Sequence, residues 1–334
     1  MRPTGTGQRA VQVRQFGGPG VLTVATLPEM VAGPGQAVIS VRVADVGFVD
    51  TLIRSGRAVG WFPIRPPYIP GGGVAGQVIS LGPGTDPGWA GRRVIAHTGA
   101  GGGTDGYAEQ AVVDSSRLVP VPDGVGFAEA ATALHDGATA LGLLARTGVH
   151  PGDRVLIMGA AGGMGLLLVQ LARAHGGQVI GAARGAPKLG LVRELGAHAA
   201  VDYAEPGWRE DVVKVTGGTG PNVVFDGVGG PLGREAFEIT AEGGRFSAHG
   251  AASGGFAAIG PQEPGRRGVT VRGIEQVQFG PGEHESFAER ALAELSAGRI
   301  KPVIGPVFPL DRAADAHTAL ETRTALGKTL LTVP

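Results

Sequence analysis

The sequence predicts an α/β protein of two domains, a small antiparallel β-barrel or sandwich joined to a doubly wound parallel sheet. Three observations predict it. A chain of 334 residues is long for one core, so two domains are expected. Near residue 123 the texture changes from short β-type runs to strands alternating with helix-like segments. Residues 154–174, "RVLIMGAAGGMGLLLVQLARA", place a glycine-dense turn between an apolar strand and an apolar-periodic helix.

The first texture runs from residue 9 to about 122. "RAVQVRQF", "QAVISVRVADV", "GVAGQVISLG", "GRRVIAH" and "EQAVVDSSRLVPV" read as strands, separated by turns such as "GGPG" and "GPGTDPG". In the second, strands are expected at 154–158, 178–183, 199–202, 222–226, 244–248 and 269–274. Helices are expected at 163–175, 187–196, 206–216, 231–241 and 284–298. The tail from Lys301 returns to strand, helix and strand, and is expected to rejoin the first domain.

Composition excludes several function classes. Formal net charge is zero with no basic or acidic block, which argues against nucleic acid and anionic membrane surfaces. No apolar run approaches the ~20 residues of a membrane span, and the N-terminus shows no secretory h-region. Cysteine is absent, which removes disulfides and thiolate chemistry and fits a cytoplasmic location.

The glycine turn carries the first chemical signal. In the G-x-x-G-x-x-G of 159–165, Gly159 permits the tight strand-to-helix turn. Ala160, Gly162, Gly163 and Met164 bring backbone close to a pyrophosphate, and Gly165 lets the helix pack on the strand. Phosphate charge then meets the unpaired N–H groups and dipole of a helix start. This predicts a dinucleotide site. At the end of the second strand of the array, where NAD enzymes usually carry an acid for the ribose, "QVIGAARGAPK" offers Arg184 and Lys188. Two cations without a carboxylate suit a 2′-phosphate and so NADPH; the alternative is two solvated charges at a helix start.

Eight blocks, the glycine turn among them, fall in a characteristic order: "VADVGFVDTLIRSG", "YIPGGGVAGQVISLGPG", "DGYAEQAVV", "GAAGGMGLLLVQLAR", "RELGAHAAVDY", "FDGVGG", "RFSAHGAASGG" and "LGKTLL". With them the chain resembles the zinc-independent quinone oxidoreductase (zeta-crystallin-like) branch of the medium-chain dehydrogenase/reductase superfamily. The resemblance implies a GroES-like catalytic domain at 1–122 and 300–334 and a Rossmann NADPH-binding domain at 123–299, with a cleft between them. It also implies a homodimer formed through the strand near 269–274. Tyr203 would join Arg184 and Lys188 near the 2′-phosphate. Gly227, Val228 and Gly229, with His249, Gly250 and Ala251, would line the cofactor, and Thr139, Phe279 and Lys328 would lie near the nicotinamide. Read without the family, Tyr203 is equally a packing aromatic and Lys328 a surface charge.

Zinc-dependent members of the superfamily carry a His-Glu pair where this chain has Gly72 and Gly73. With no cysteine and eight scattered histidines, no tetrahedral zinc set is visible, so no metal is expected. A metal-free hydride transfer suits acceptors that need little polarisation, such as quinones and α,β-unsaturated carbonyls. The chain also departs from its relatives: Gly47 and Leu52 stand where Asn and often Tyr are usual.

Phe48, Trp61, Tyr68 and His97 are candidates for the substrate pocket, with Trp61, Phe62 and Tyr68 either walling a flat substrate or packing their own loop. Asp50, His135 and His249 are acid–base candidates, each also readable as a structural hydrogen-bonder. The expected function is an NADPH-dependent quinone or enone reductase. The alternatives are a tailoring reductase dedicated to one polycyclic or polyketide intermediate, and a cofactor-binding protein with little turnover.

Overall fold

In a computed structural model, which describes residues 7–99 and 104–334, the chain divides into two compact units. One comprises Met1–His135, Ala288–Ala297 and Val303–Pro334, the other Asp136–Phe287 and Gly298–Pro302.

The first unit is antiparallel apart from one pair of tail strands, which run parallel. A hairpin of β1 (Gln8–Val13) and β2 (Leu22–Leu27) stands as its own two-stranded sheet. A seven-stranded sheet follows, from β3 (Gln36–Asp45), β4 (Gly73–Leu81), β5 (Arg93–His97), β6 (Gln110–Asp114) and β7 (Val119–Pro120) with two strands of the tail, β14 (Ile304–Pro309) and β15 (Lys328–Thr332). Its order is β14-β15-β3-β4-β5-β7, with β6 also paired to β3. The tail does rejoin the first domain, because β15 pairs antiparallel with β3, Leu331 opposite Ala44. Val41, Ala44, Val74, Val94, Tyr107, Ala111 and Leu331 share its core.

Three details differ from the expectation. "EQAVVDSSRLVPV" is broken after β6, because the Asp114 carboxylate accepts the Ser116 N–H at 2.9 Å and starts a 3-10 turn. The strand β2 was not anticipated; its residues are half-buried or exposed, so no alternation marks it. Two helices lie in this unit's leading segment, α1 (Phe48–Arg54) and α2 (Phe127–Thr132). The division at residue 135 comes later than the expected 122 because α2 packs on β3 and β4, and Leu134 reaches the α-carbon side of Gly73.

The second unit opens with α3 (Ala138–Thr147) and then alternates: β8 (Arg154–Met158), α4 (Gly163–Ala174), β9 (Gln178–Ala183), α5 (Ala186–Glu194), β10 (Ala199–Asp202), α6 (Trp208–Val215), β11 (Val223–Asp226), α7 (Gly230–Glu238) and β12 (Arg245–Ala248). A short α8 (Glu263–Arg266), β13 (Thr270–Arg272) and the start of α9 (Glu283–Ser296) complete it; α10 (Ala313–Glu321) belongs to the tail. The six strands are parallel in the order β10-β9-β8-β11-β12-β13. That order reverses direction between β8 and β11, and such a switch point opens a crevice at the C-terminal strand ends. Leu156, Ile180, Val224, Phe237 and Phe246 fill the core around it.

Candidate functional site

In the second unit the crevice is assembled from four turns, each at the C-terminal end of a strand. The turn after β8 holds the glycine motif. Gly159 takes a left-handed φ of +73°, which a residue with a Cβ avoids. A Cβ on Gly165 would lie 2.8 Å from the Ala160 α-carbon, so only glycine lets α4 sit this close to the turn. Ala160 is buried and its N–H donates to the Ala182 carbonyl at 3.0 Å. Gly162 is exposed and caps α4, its own N–H donated to the Gly159 carbonyl at 3.2 Å, while Gly163 and Met164 present the first N–H groups of the helix, which an α-helix leaves without internal partners. A phosphate fits that backbone.

The turn after β9 carries Arg184, which is exposed, and Lys188, half-buried on the first turn of α5. Between them Gly185 takes φ +86°, and its N–H donates to Asp202 Oδ2 at 2.8 Å. Asp202 is a residue that the sequence reading did not single out. It closes β10, and its other oxygen accepts the Ala204 N–H at 2.9 Å. The carboxylate therefore shapes the turn that carries Arg184. Tyr203 follows, half-buried against the core of this unit, with its N–H donated to the Ala183 carbonyl.

The turns after β11 and β12 interlock. Asp226 is fully buried and its Oδ1 accepts the N–H groups of Val228 and Gly229, at 3.0 and 2.8 Å. Burial pushes its pKa up to about 6, against the two backbone donors that favour the charge. The Asp226 carbonyl receives the N–H groups of His249 and Gly250. A Cβ on Gly250 would fall on the backbone of Gly227, and one on Gly229 would lie 3.2 Å from the Ala251 α-carbon. Ser253 Oγ ties the pair by donating to the Gly229 carbonyl at 2.6 Å. All the strand-end residues expected to line a cofactor are thus brought together on this unit.

Two further candidates lie in the second unit. Thr139 is buried in the first turn of α3. Phe279 packs its ring against Phe287 (centroids 5.3 Å apart) and His284 (5.3 Å), with the Arg146 guanidinium 5.0 Å from its centroid. Gly142 of α3 makes room for that ring, since a Cβ there would collide with it.

In the first unit the candidates form a buried polar network. Lys328, at the start of β15, is ion-paired with Asp45 at the end of β3, and both side chains are buried. Asp50 Oδ2 accepts the Gly47 N–H at 2.8 Å and the Tyr107 hydroxyl at 3.2 Å. The same hydroxyl lies 3.1 Å from His317 Nε2, which donates to it. Burial pushes the Asp50 pKa up to about 7, with the nearby Asp45 charge adding to the rise. It holds His317 down to about 3. Arg54, also buried, pairs with Glu321. Asp50, the third residue of α1, therefore ties the helix start through the Gly47 N–H and takes part in a buried hydrogen-bond network. Nothing in the sequence joined it to Tyr107, Asp45 or His317.

His97 and His135 meet edge to face, with ring centroids 6.0 Å apart. His97 donates Nδ1–H to the Gly72 carbonyl at 2.8 Å, and burial, with His135 beside it, holds its pKa down to about 4. Phe48 is half-buried, with the Arg323 guanidinium 6.0 Å from its ring. Tyr68 is half-buried, with its hydroxyl enclosed and its pKa pushed up by burial. Trp61, by contrast, is 57% exposed. Of the two readings of the aromatic loop, Tyr68 fits packing, whereas Trp61 presents its ring outward.

Two family models match the chain: the alcohol dehydrogenase GroES-like domain over residues 33–123, and the zinc-binding dehydrogenase domain over residues 163–296. Among curated proteins, the quinone oxidoreductase of Sus scrofa is 31% identical over 98% of this chain and 99% of its own. A mycobacterial protein solved in complex with NADPH superposes with a TM-score of 0.88 at 34% identity, over 97% of this chain and 99% of its own. An NAD-dependent alcohol dehydrogenase superposes with a TM-score of 0.87 at 30% identity, over 98% and 100%. Similar folds in this group therefore carry either nicotinamide cofactor.

Proposed function

The chain belongs to the zinc-independent quinone oxidoreductase branch of the medium-chain dehydrogenase/reductase superfamily, and on that premise we propose an NADPH-dependent, metal-free oxidoreductase that passes hydride to a quinone or an α,β-unsaturated carbonyl. The observation that carries this reading is the set of glycine turns at the ends of β8, β11 and β12, with Arg184 and Lys188 at the end of β9. Backbone N–H groups at the start of α4 take the pyrophosphate, and the two cations take the 2′-phosphate. Bound there, the cofactor supplies hydride from its nicotinamide ring. The protein's part is to bind, orient and keep the ring dry. Gly72 and Gly73 at the positions of a His-Glu pair support the metal-free reading, since they remove two zinc ligands.

A second reading, a reductase dedicated to one polycyclic intermediate, is favoured by a specific observation. Trp61 presents an exposed indole, while Gly47, where relatives carry Asn, offers no polar side chain. We also propose a homodimer through β13, an outer strand of its sheet that pairs with β12 on one side among the described residues. No described helix is long and apolar enough to cross a membrane. We propose a cytoplasmic location.

The test is calorimetric titration with NADPH and NADH, then absorbance at 340 nm with 1,4-benzoquinone and 9,10-phenanthrenequinone. Tight NADPH binding with rapid oxidation by both supports the first reading. Tight binding without turnover points to a dedicated substrate or a binding role. Activity lost to EDTA and restored by zinc overturns the metal-free assignment.

A further inference from the structure

His249 closes β12, and its ring is buried, 8% exposed. Its surroundings in the second unit decide which nitrogen carries the proton. Nδ1 lies 3.0 Å from Ser247 Oγ, and the Ser247 backbone carbonyl also faces the ring as an acceptor. Ser247 Oγ donates its own proton to Gln276 Oε1 at 2.8 Å, an oxygen that also receives Thr147 Oγ1 at 3.3 Å. A serine hydroxyl has one proton to give, so with Gln276 taking it the serine oxygen accepts from the ring. A carbonyl only accepts. Both neighbours therefore call for hydrogen on Nδ1, and Nε2 is left as a lone pair.

That lone pair is buried and has no partner among the described residues. An unmet buried acceptor is costly, and where one persists it asks for an explanation. Its location supplies one. A Cβ on Gly227 would lie 3.6 Å from Nε2 and 3.1 Å from the Met158 carbonyl oxygen. Glycine thus leaves a recess at the ends of β8, β11 and β12, bordered by two acceptors. A group entering it must bring hydrogen-bond donors. Burial holds the ring's pKa down to about 4, so near pH 7 it stays a neutral acceptor.

We infer that His249 binds the cofactor by accepting, through Nε2, a hydrogen bond from the nicotinamide-riboside half, and that Ser247 and Gln276 are positioning residues that hold the ring in the tautomer this requires. The inference rests on the reading of this crevice as an NADPH site. It makes His249 a reader of the cofactor and not a proton donor to the product. The carboxamide NH2 and the ribose hydroxyls carry the same donor chemistry.

The experiment measures affinities of the full chain for NADPH, for its 3-acetylpyridine analogue, which lacks the amide donor, and for 2′,5′-ADP, which lacks the whole nicotinamide riboside. His249→Phe is expected to weaken NADPH about tenfold, the worth of one good hydrogen bond, and to leave 2′,5′-ADP within about twofold. If the donor is the carboxamide, the analogue binds equally to both proteins; if it is ribose, the analogue loses as much as NADPH does. Equal loss for NADPH and 2′,5′-ADP, or no loss for either, overturns the inference. Nitrogen-15 spectra of the histidines read the tautomer without any variant. Wild-type His249 is expected neutral with hydrogen on Nδ1, and Ser247→Ala is expected to shift that population. A wild-type ring protonated on Nε2, or a Ser247→Ala ring with unchanged populations, overturns the relay. Absence of NADPH and NADH binding by the wild type would instead overturn the cofactor reading on which the inference stands.

Discussion

The two units solve the problem of a functional surface by opposite means. The second builds its crevice from backbone: glycines at 159, 165, 229 and 250 let strands, turns and a helix approach without side chains. The first encloses side-chain charge: Asp45 with Lys328, Arg54 with Glu321, and Asp50 with Tyr107 and His317. A backbone site is intolerant of added atoms and answers to pH only through the groups that pin it, here the buried Asp226. A buried ionisable network tolerates shape changes at its rim and responds to protons.

The comparison is broken most severely at Gly250. Gly250→Val places a side chain on the Gly227 backbone, so the β11 and β12 turns must separate. NADPH affinity should fall at least about 100-fold and stability by on the order of 4 kcal/mol, as seen by calorimetry and thermal melts. Near-normal binding would mean that the two turns do not depend on one another.

Next in size is a pH effect in the first unit. Asp50 carries a pKa near 7 when folded against 3.8 for a free aspartate carboxyl. The folded state therefore binds more protons between those values. The stability it contributes is full below about pH 4 and is lost as pH rises through about 7. Asp50→Asn mimics the protonated form, so its stability relative to wild type should improve steadily from pH 4 to 8, by on the order of a few kcal/mol. A flat difference across that range would show that Asp50 is ionised throughout. His317, held near 3, works the other way, since the unfolded imidazole takes up a proton below about 6.5 and the fold loses stability toward acid.

Arg184→Glu sharpens the cofactor assignment. Arg184 is exposed, so the expected change is moderate: about 10- to 30-fold weaker NADPH binding, with NADH changed much less. Equal losses would remove Arg184 from the phosphate. The smallest effect is Trp61→Ala. Its ring is exposed, so stability should stay within ~0.5 kcal/mol, while KM for a polycyclic quinone rises a few-fold. An unchanged KM would leave the indole without a role in substrate binding.

What was legible in the sequence follows the same divide. Backbone sites announce themselves locally, because a turn that requires glycine writes glycine at fixed offsets. Hence the strands 154–158 and 178–183 agree with the structure to the residue, and the glycine turns at strand ends are legible as such. The network of the first unit joins Tyr107 to residues 57 and 210 positions away, a distance over which no periodicity carries information. Asp202 was missed for a related reason. An acid was sought at the end of β9, but the carboxylate that meets Gly185 arrives from β10, 17 residues from it in the chain. The helices α2 and α3 were passed over because their sequences are rich in alanine and carry no clear polar stripe, and α1 because seven residues are too few to show a helical period.

The interlocked turns after β11 and β12 also set where this protein is able to change over evolutionary time. Each is the other's mould, so a substitution in one demands a simultaneous, matching substitution in the other, a step that single mutations do not reach. The β9–α5 turn is under no such bond: Arg184 is exposed, and Gly185 beside it donates a single backbone N–H to the Asp202 carboxylate. A lineage needing a different nicotinamide cofactor would therefore rewrite the Arg184 turn and inherit the glycine turns untouched.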